Sequence, residues 1–295
     1  MVERLRIGVV GAGVFGGYHA AKCAGHPRVA LSGIHDLDAA RAGRLAGGHG
    51  VEALRLEALV ERSDAVIVAC PASGHATAAL AALARGRHVL VEKPLADTVA
   101  DAEAIVAAAQ AAGAVLQVGH QERFVAEAIG LDKVMETPTA IRAWRETPPS
   151  PRGRDVSVAL DLMTHDIDLV LWLLGGEPDV VERKGVAGPD GQDDRVELGL
   201  RFEDTEVQLA ASRVADTPRR VMELDYPSGR VRVDFNAKTL EHDTPFALDA
   251  AFGEAPEARD SLRAALDAFV LVVLDGEEVR VSGEDGLRAL RLAVG

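Results

Sequence analysis

Three groups of residues carry side chains at spacings that chemistry can use. Lys93 lies between Glu92 and Pro94, directly after the apolar run 88–91. A lysine at the carboxyl end of a buried strand offers its amino group to the crevice that such strand ends line. Asp161 and His165 are four residues apart, one turn of a helix, and a carboxylate there can orient an imidazole and stabilise its protonated form, as an acid/base pair needs. Gly11-x-Gly13-x-x-Gly16 follows the apolar run 5–10, a pattern in which the glycines permit a tight turn, close approach of a pyrophosphate, and helix packing on the strand. Each group also has an ordinary reading: a surface Lys-Pro after a strand, a helix carboxylate beside a half-buried histidine, a plain turn. Their surroundings decide.

Residues 5–10, 29–34, 65–69, 88–91 and 115–118 read as strands, and 16–24, 37–47, 75–85 and 97–112 as helices. The strands are almost continuously apolar, as parallel strands covered on both faces are. The alternation predicts a doubly wound dinucleotide-binding domain over residues 1–119. Asp36 stands twenty residues after Gly16, just past the second strand, where a carboxylate accepts hydrogen bonds from a ribose diol and repels a 2′-phosphate. Leu37 follows rather than an arginine, so NAD is expected in preference to NADP.

Residues 120–295 differ in character. A helical stretch 121–134, a strand 140–145, a proline-rich loop 147–154 and a helix 156–174 precede period-two runs around 196–202, 207–211, 222–226 and 231–235. These predict a half-exposed antiparallel sheet, and helices 256–274 and 283–292 close the chain. On helix 156–174, Leu160, Met163, Ile167, Val170, Leu171 and Leu174 form an apolar stripe. Asp161, His165, Asp168 and Trp172 recur on another face. Asp161, His165, Asp166 and Asp168 would also suit a metal, but acidic helix faces are more often solvated, and no metal is expected.

A net charge of −14 argues against a nucleic-acid surface. No apolar run reaches the roughly 18 residues of a membrane helix, and the start leads straight into a strand, so a cytoplasmic protein is expected. The two cysteines, Cys23 and Cys70, fit no disulfide framework or zinc spacing and suit a reducing compartment.

Taken in order, the glycine loop, Val66-Ile67-Val68-Ala69-Cys70-Pro71 with His75 behind it, Glu92-Lys93-Pro94, and Asp161-x-x-x-His165-x-x-Asp168 resemble the Gfo/Idh/MocA family of nicotinamide-dependent oxidoreductases. The resemblance implies a Rossmann domain and an α+β domain with a large open antiparallel sheet, and a homo-oligomer, dimer or tetramer, packed through that sheet. It implies hydride transfer between the cofactor and a secondary alcohol of a sugar-like substrate. Gly11, Gly13, Val14, Phe15, Gly16, Asp36, Cys70, Pro71, His75, Glu92 and Lys93 would hold the cofactor. Lys93, His165 and Asp161 would be catalytic, and Arg123 and Arg154 would join them in binding substrate. The stretch 118–124, with His165-Asp166-Ile167-Asp168, looks closer to the branch acting on UDP-N-acetyl sugars at the 3-position. The departure is Val156-Ser157-Val158-Ala159-Leu160, where many members carry glycines. Free-sugar, inositol or diol dehydrogenases are the alternative, and a non-catalytic NAD-binding sensor a further one, although sensors tend to lose the lysine or histidine that this chain keeps.

Overall fold

The computed structural model describes residues 4–150 and 156–295. The first unit is built on five parallel strands, β1 (Leu5–Val10), β2 (Val29–His35), β3 (Ala65–Val68), β4 (His88–Val91) and β5 (Leu116–Val118), in the order β2-β1-β3-β4-β5. Helices α1 (Val14–Ala24), α2 (Ala39–His49), α3 (Leu56–Arg62), α4 (His75–Leu83) and α5 (Val99–Ala112) connect them. Connections leave the sheet in opposite directions on either side of β1 and β3, which opens a crevice beyond their carboxyl ends. Helix α2 begins two residues later than expected because Asp38 caps it, accepting from the Ala40 and Arg41 N–H groups at 3.0 Å each. Helix α3 was not legible in the sequence.

The second unit begins with α6 (Glu122–Ile129), stopped at Gly130 by a left-handed turn (φ +91°). Strand β6 (Ala140–Glu146) follows, then one π-helical turn (Ala159–Met163) that runs into α7 (Thr164–Leu174). Strands β7 (Asp179–Ala187), β8 (Asp193–Phe202), β9 (Thr205–Ser212), β10 (Arg219–Tyr226), β11 (Gly229–Asp234) and β12 (Thr239–His242) complete a seven-stranded sheet, β12-β11-β10-β6-β9-β8-β7. All neighbours pair antiparallel except β6 and β9, which run parallel. The expected antiparallel sheet is therefore mixed. Both edges went unread: β7 is exposed along nearly its whole length, which leaves no alternation to detect, and β12 has only four residues.

The expected helix 256–274 breaks at Asp260 into α8 (Pro256–Arg259) and α9 (Ser261–Asp275), and α10 (Gly283–Val294) ends the chain. The sequence-based division at residue 119 differs from the packing in one respect. Residues 262–290 belong with the first unit, because Leu266, Phe269 and Val270 share its core with Leu5, Ile7, Val9 and Ile67. The Gln117 side chain also donates to the Ala265 carbonyl at 2.8 Å. Among the described residues no helix is long and apolar enough to cross a membrane.

Candidate active site

The first unit gathers its functional residues at the carboxyl ends of its strands. After β1, Gly11 turns the chain with φ +101°, and a Cβ there would lie 2.6 Å from the Ala69 and Cys70 backbone. A Cβ at Gly16 would lie 1.8 Å from the Gly11 carbonyl oxygen, so α1 packs against the turn only as glycine. Gly13 is different: a Cβ there would meet no atom within 4 Å. No side chain caps α1, leaving its first N–H groups available to phosphate oxygens. This cradle fits a dinucleotide pyrophosphate. Val14, Phe15 and Tyr18 are exposed on the first turns of the same helix.

Asp36 follows β2. It accepts from the Ala12 N–H at 2.7 Å and the Asp38 N–H at 2.8 Å, so the carboxylate that would meet the ribose also ties the glycine loop to the second strand. A cavity of about 510 Å³ opens here, its polar lining drawn from Asp36, Asp38, Arg41, Ser73 and Thr77 and its apolar lining from Leu56 and Pro71, among others. That is the size and character of an adenosine site. Cys70 lies on its wall, and burial pushes its thiol up to about 11, so it packs rather than reacts. His75 is buried with both ring nitrogens on carbonyls, Nδ1 at 2.8 Å from Pro94 and Nε2 at 2.9 Å from Cys70. Burial holds its pKa below the ordinary value despite those carbonyls. Its observed contacts fasten the loops after β3 and β4.

Glu92 and half-buried Lys93 directly follow β4, and the Lys93–Pro94 peptide is cis. The Glu92 carboxylate is buried and lies 2.7 Å from His19 Nε2. Burial pushes this carboxyl up, but the His19 hydrogen bond and the charges of His19, Lys93 and His75 outweigh it, and the group sits below the usual range. Gly119 completes the packing, since a Cβ there would be 2.8 Å from Glu92 Oε2. His19 was missed in the sequence. Its position three residues after Gly16, one turn into α1 on the buried side, was the available signal.

In the second unit, Asp161 sits on the π-helical turn and His165 in the first turn of α7. Of residues 163–171, His165 alone is not fully buried. π-Turns recur at functional sites because they re-aim the side chains they carry. The flanking acids are committed elsewhere. Arg123 forks onto Asp168, Nε to Oδ2 at 2.8 Å and Nη2 to Oδ1 at 2.6 Å. Arg145 forks onto Asp166 at 2.9 and 2.8 Å. The register places Arg145 directly opposite Arg220, and Glu122 pairs with Arg220 and lies 3.8 Å from Arg145. Although burial opposes its charge, Asp166 and Glu122 hold the Arg145 guanidinium above its ordinary value.

Two expectations change. Arg123, expected at the substrate, is buried with that edge of its guanidinium given to Asp168. Asp168, read onto the face of Asp161 and His165, is fully buried as its partner. Asp166 and Asp168, two of the four metal-like residues, are taken by these same arginines. Sequence reasoning missed Arg145, although its inward place in the alternation Ile141, Ala143, Arg145 demanded a buried counter-charge. Arg154 lies outside the described residues.

Comparison with known proteins agrees with this geometry. Residues 5–120 match the description "Oxidoreductase family, NAD-binding Rossmann fold", and residues 133–236 the "GFO/IDH/MocA C-terminal domain". A UDP-N-acetylglucosamine 3-dehydrogenase of Acidithiobacillus ferrooxidans is 33% identical over 98% of this chain and 95% of its own. Its solved structure superposes with a TM-score of 0.90 over 99% and 96% of the two chains. An inositol 2-dehydrogenase of Rubrobacter xylanophilus is 34% identical over 62% of this chain and 56% of its own. GenD2 from gentamicin A biosynthesis, solved in complex with NAD, is 25% identical with a TM-score of 0.84 over 100% and 93%. The chain belongs to the Gfo/Idh/MocA family and is an NAD(P)-dependent oxidoreductase acting on CH–OH groups.

Proposed function

We propose that this enzyme oxidises the 3-hydroxyl of a UDP-N-acetyl sugar with NAD, or reduces the corresponding ketone. The observation that carries the reading is similarity to the UDP-N-acetylglucosamine 3-dehydrogenase at 33% identity over 98% of this chain. Similarity to the Rubrobacter inositol enzyme is as high but covers less than two thirds of the chain, and it supports a second reading, a free-sugar or inositol dehydrogenase.

Alcohol oxidation removes a hydride from carbon and a proton from oxygen. Bound nicotinamide supplies the hydride acceptor at its C4. The protein handles the rest: Lys93 binds the reacting hydroxyl, His165 takes its proton, and Asp161 holds the substrate or orients the imidazole. Asp36 meets the adenosine ribose, which favours NAD. The same reading takes the chain as a homo-oligomer joined through the open face of the second sheet, where Trp144 stacks under Arg219 at 4.0 Å.

Reduced-nicotinamide absorbance tests it. UDP-N-acetylglucosamine with NAD should give turnover that Lys93→Met lowers by about 10²–10⁴-fold while NADH binding persists. Turnover of inositols with none of UDP-sugars would transfer the assignment to the second reading.

A further inference from the structure

A carboxylate is buried beside Lys93, and one histidine from another element answers it. Glu92 is 5% exposed, and His19, on the buried side of α1, is fully enclosed. His19 Nε2 lies 2.7 Å from Glu92 Oε1, and its buried Nδ1 has no partner among the described residues. The pair is thus the histidine's single polar contact, which is unusual for a group enclosed at such cost. A carboxylate only accepts, so Nε2 carries the proton and donates it. Around Glu92 stand Lys93, next in the chain, and His75 of α4, whose ring nitrogens both face carbonyls. On the β5 side it meets Gly119, followed by buried His120. Burial pushes the Glu92 carboxyl up, and the His19 hydrogen bond is the largest of the effects that oppose it.

In the reading above Lys93 binds the reacting hydroxyl and hydride leaves the carbon that bears it, so the nicotinamide ring must come to this same strand end. That ring is a cation when oxidised and neutral when reduced. The Lys93 ammonium repels the cation; a buried carboxylate next to it offsets that repulsion, with little screening by salt. Resting on that assignment of Lys93, we infer that His19 and Glu92 form a charge device that makes this enzyme favour the oxidised cofactor over the reduced one. Glu92 supplies the charge. His19 is the positioning residue that keeps it a carboxylate, since a buried acid that loses its donor takes up a proton instead.

The test is calorimetric titration of NAD and NADH into the full chain and into Glu92→Gln, His19→Leu and His19→Gln over about pH 6–9, with melting temperature as the check on folding. The ratio of the two affinities is compared with that of the unaltered protein at the same pH. Glu92→Gln should move it toward NADH by about tenfold at every pH. His19→Leu should match Glu92→Gln at the acid end, and any return toward the unaltered ratio should come as rising pH ionises Glu92. His19→Gln keeps an N–H donor and should stay within about threefold of the unaltered ratio. A histidine that only packs would change both affinities together and leave the ratio alone. Equal ratios in Glu92→Gln and the unaltered protein overturn the inference, as does a His19→Leu ratio that equals the unaltered one at every pH or moves toward NAD. If His19→Leu does not fold, His19→Asn takes its place, its shorter side chain holding the amide away from the carboxylate. Should the chain take NADP in place of NAD, the same ratio is read with NADP and NADPH. Turnover that Lys93→Met leaves intact counts against the assignment of Lys93, and is measured separately from these binding ratios.

Discussion

The two units hold their reactive groups by different means. In the first, position comes from the backbone: strand ends, a glycine turn whose Cβ positions would collide with carbonyls, and a histidine fastened between two loops. In the second, position comes from side-chain charge. Helix α7, which carries His165, is held to α6 and to β6 by two buried forked arginine–aspartate pairs. A backbone device fails locally when a side chain is added to it. A buried charge pair fails when either member is lost, because the survivor keeps its desolvation cost without its partner.

The largest expected effect follows from that difference. Arg123→Ala leaves Asp168 charged and buried, and should lower unfolding free energy by about 3–5 kcal/mol in denaturant titration. Replacing Arg123 and Asp168 together by apolar residues should recover much of the loss. If the single variant costs no more than an exposed ion pair, the contrast drawn here is wrong.

Gly16→Ala comes next and should behave oppositely. With 1.8 Å to the Gly11 carbonyl oxygen, the turn must shift, and NADH affinity should fall by about tenfold or more while stability falls by only about 1–3 kcal/mol. Titration of NADH alongside thermal unfolding separates the two effects.

Glu92 offers a pH test inside the first unit. Its carboxyl is depressed in the folded protein, so its contribution to stability is complete above the unfolded value and is lost as pH falls through the folded one. The stability of Glu92→Gln should therefore depend less on pH than that of the unaltered protein below about 4.5, the ordinary glutamate value. Parallel acid titrations of the two would sink the assignment.

The smallest effect is a helix cap. Thr98 accepts from the Asp101 N–H at 3.1 Å at the start of α5, and Thr98→Ala should cost about 1 kcal/mol, with cofactor affinity unchanged.

The legibility of the chain follows the same division. Glycine loop, strand ends, Asp36, Glu92 and Lys93 could be read because each depends on residues close in sequence: an apolar run, then a turn, then a helix start. The Asp161–His165 spacing could be read for the same reason, although the π-helical turn beneath Asp161 could not, since it changes the helix without changing the pattern. Arg123 was misplaced because a charged residue in a helix looks the same whether it faces a substrate or a buried aspartate 45 residues away.

What the sequence determined by itself was therefore the local chemistry and the order of elements: a parallel dinucleotide-binding sheet with a lysine at its rim, then a histidine-bearing helix and a half-exposed sheet. Only the tertiary structure decided which charges neutralise one another, where residues 262–290 pack, that β6 and β9 run parallel, and that Arg41 shares a cavity with Asp36. The physical reason is range. Hydrophobic periodicity and turn chemistry act over a few residues and leave their mark in the order of side chains. Charge pairing and cavity lining depend on distances between segments far apart in the chain, which exist only once it has folded.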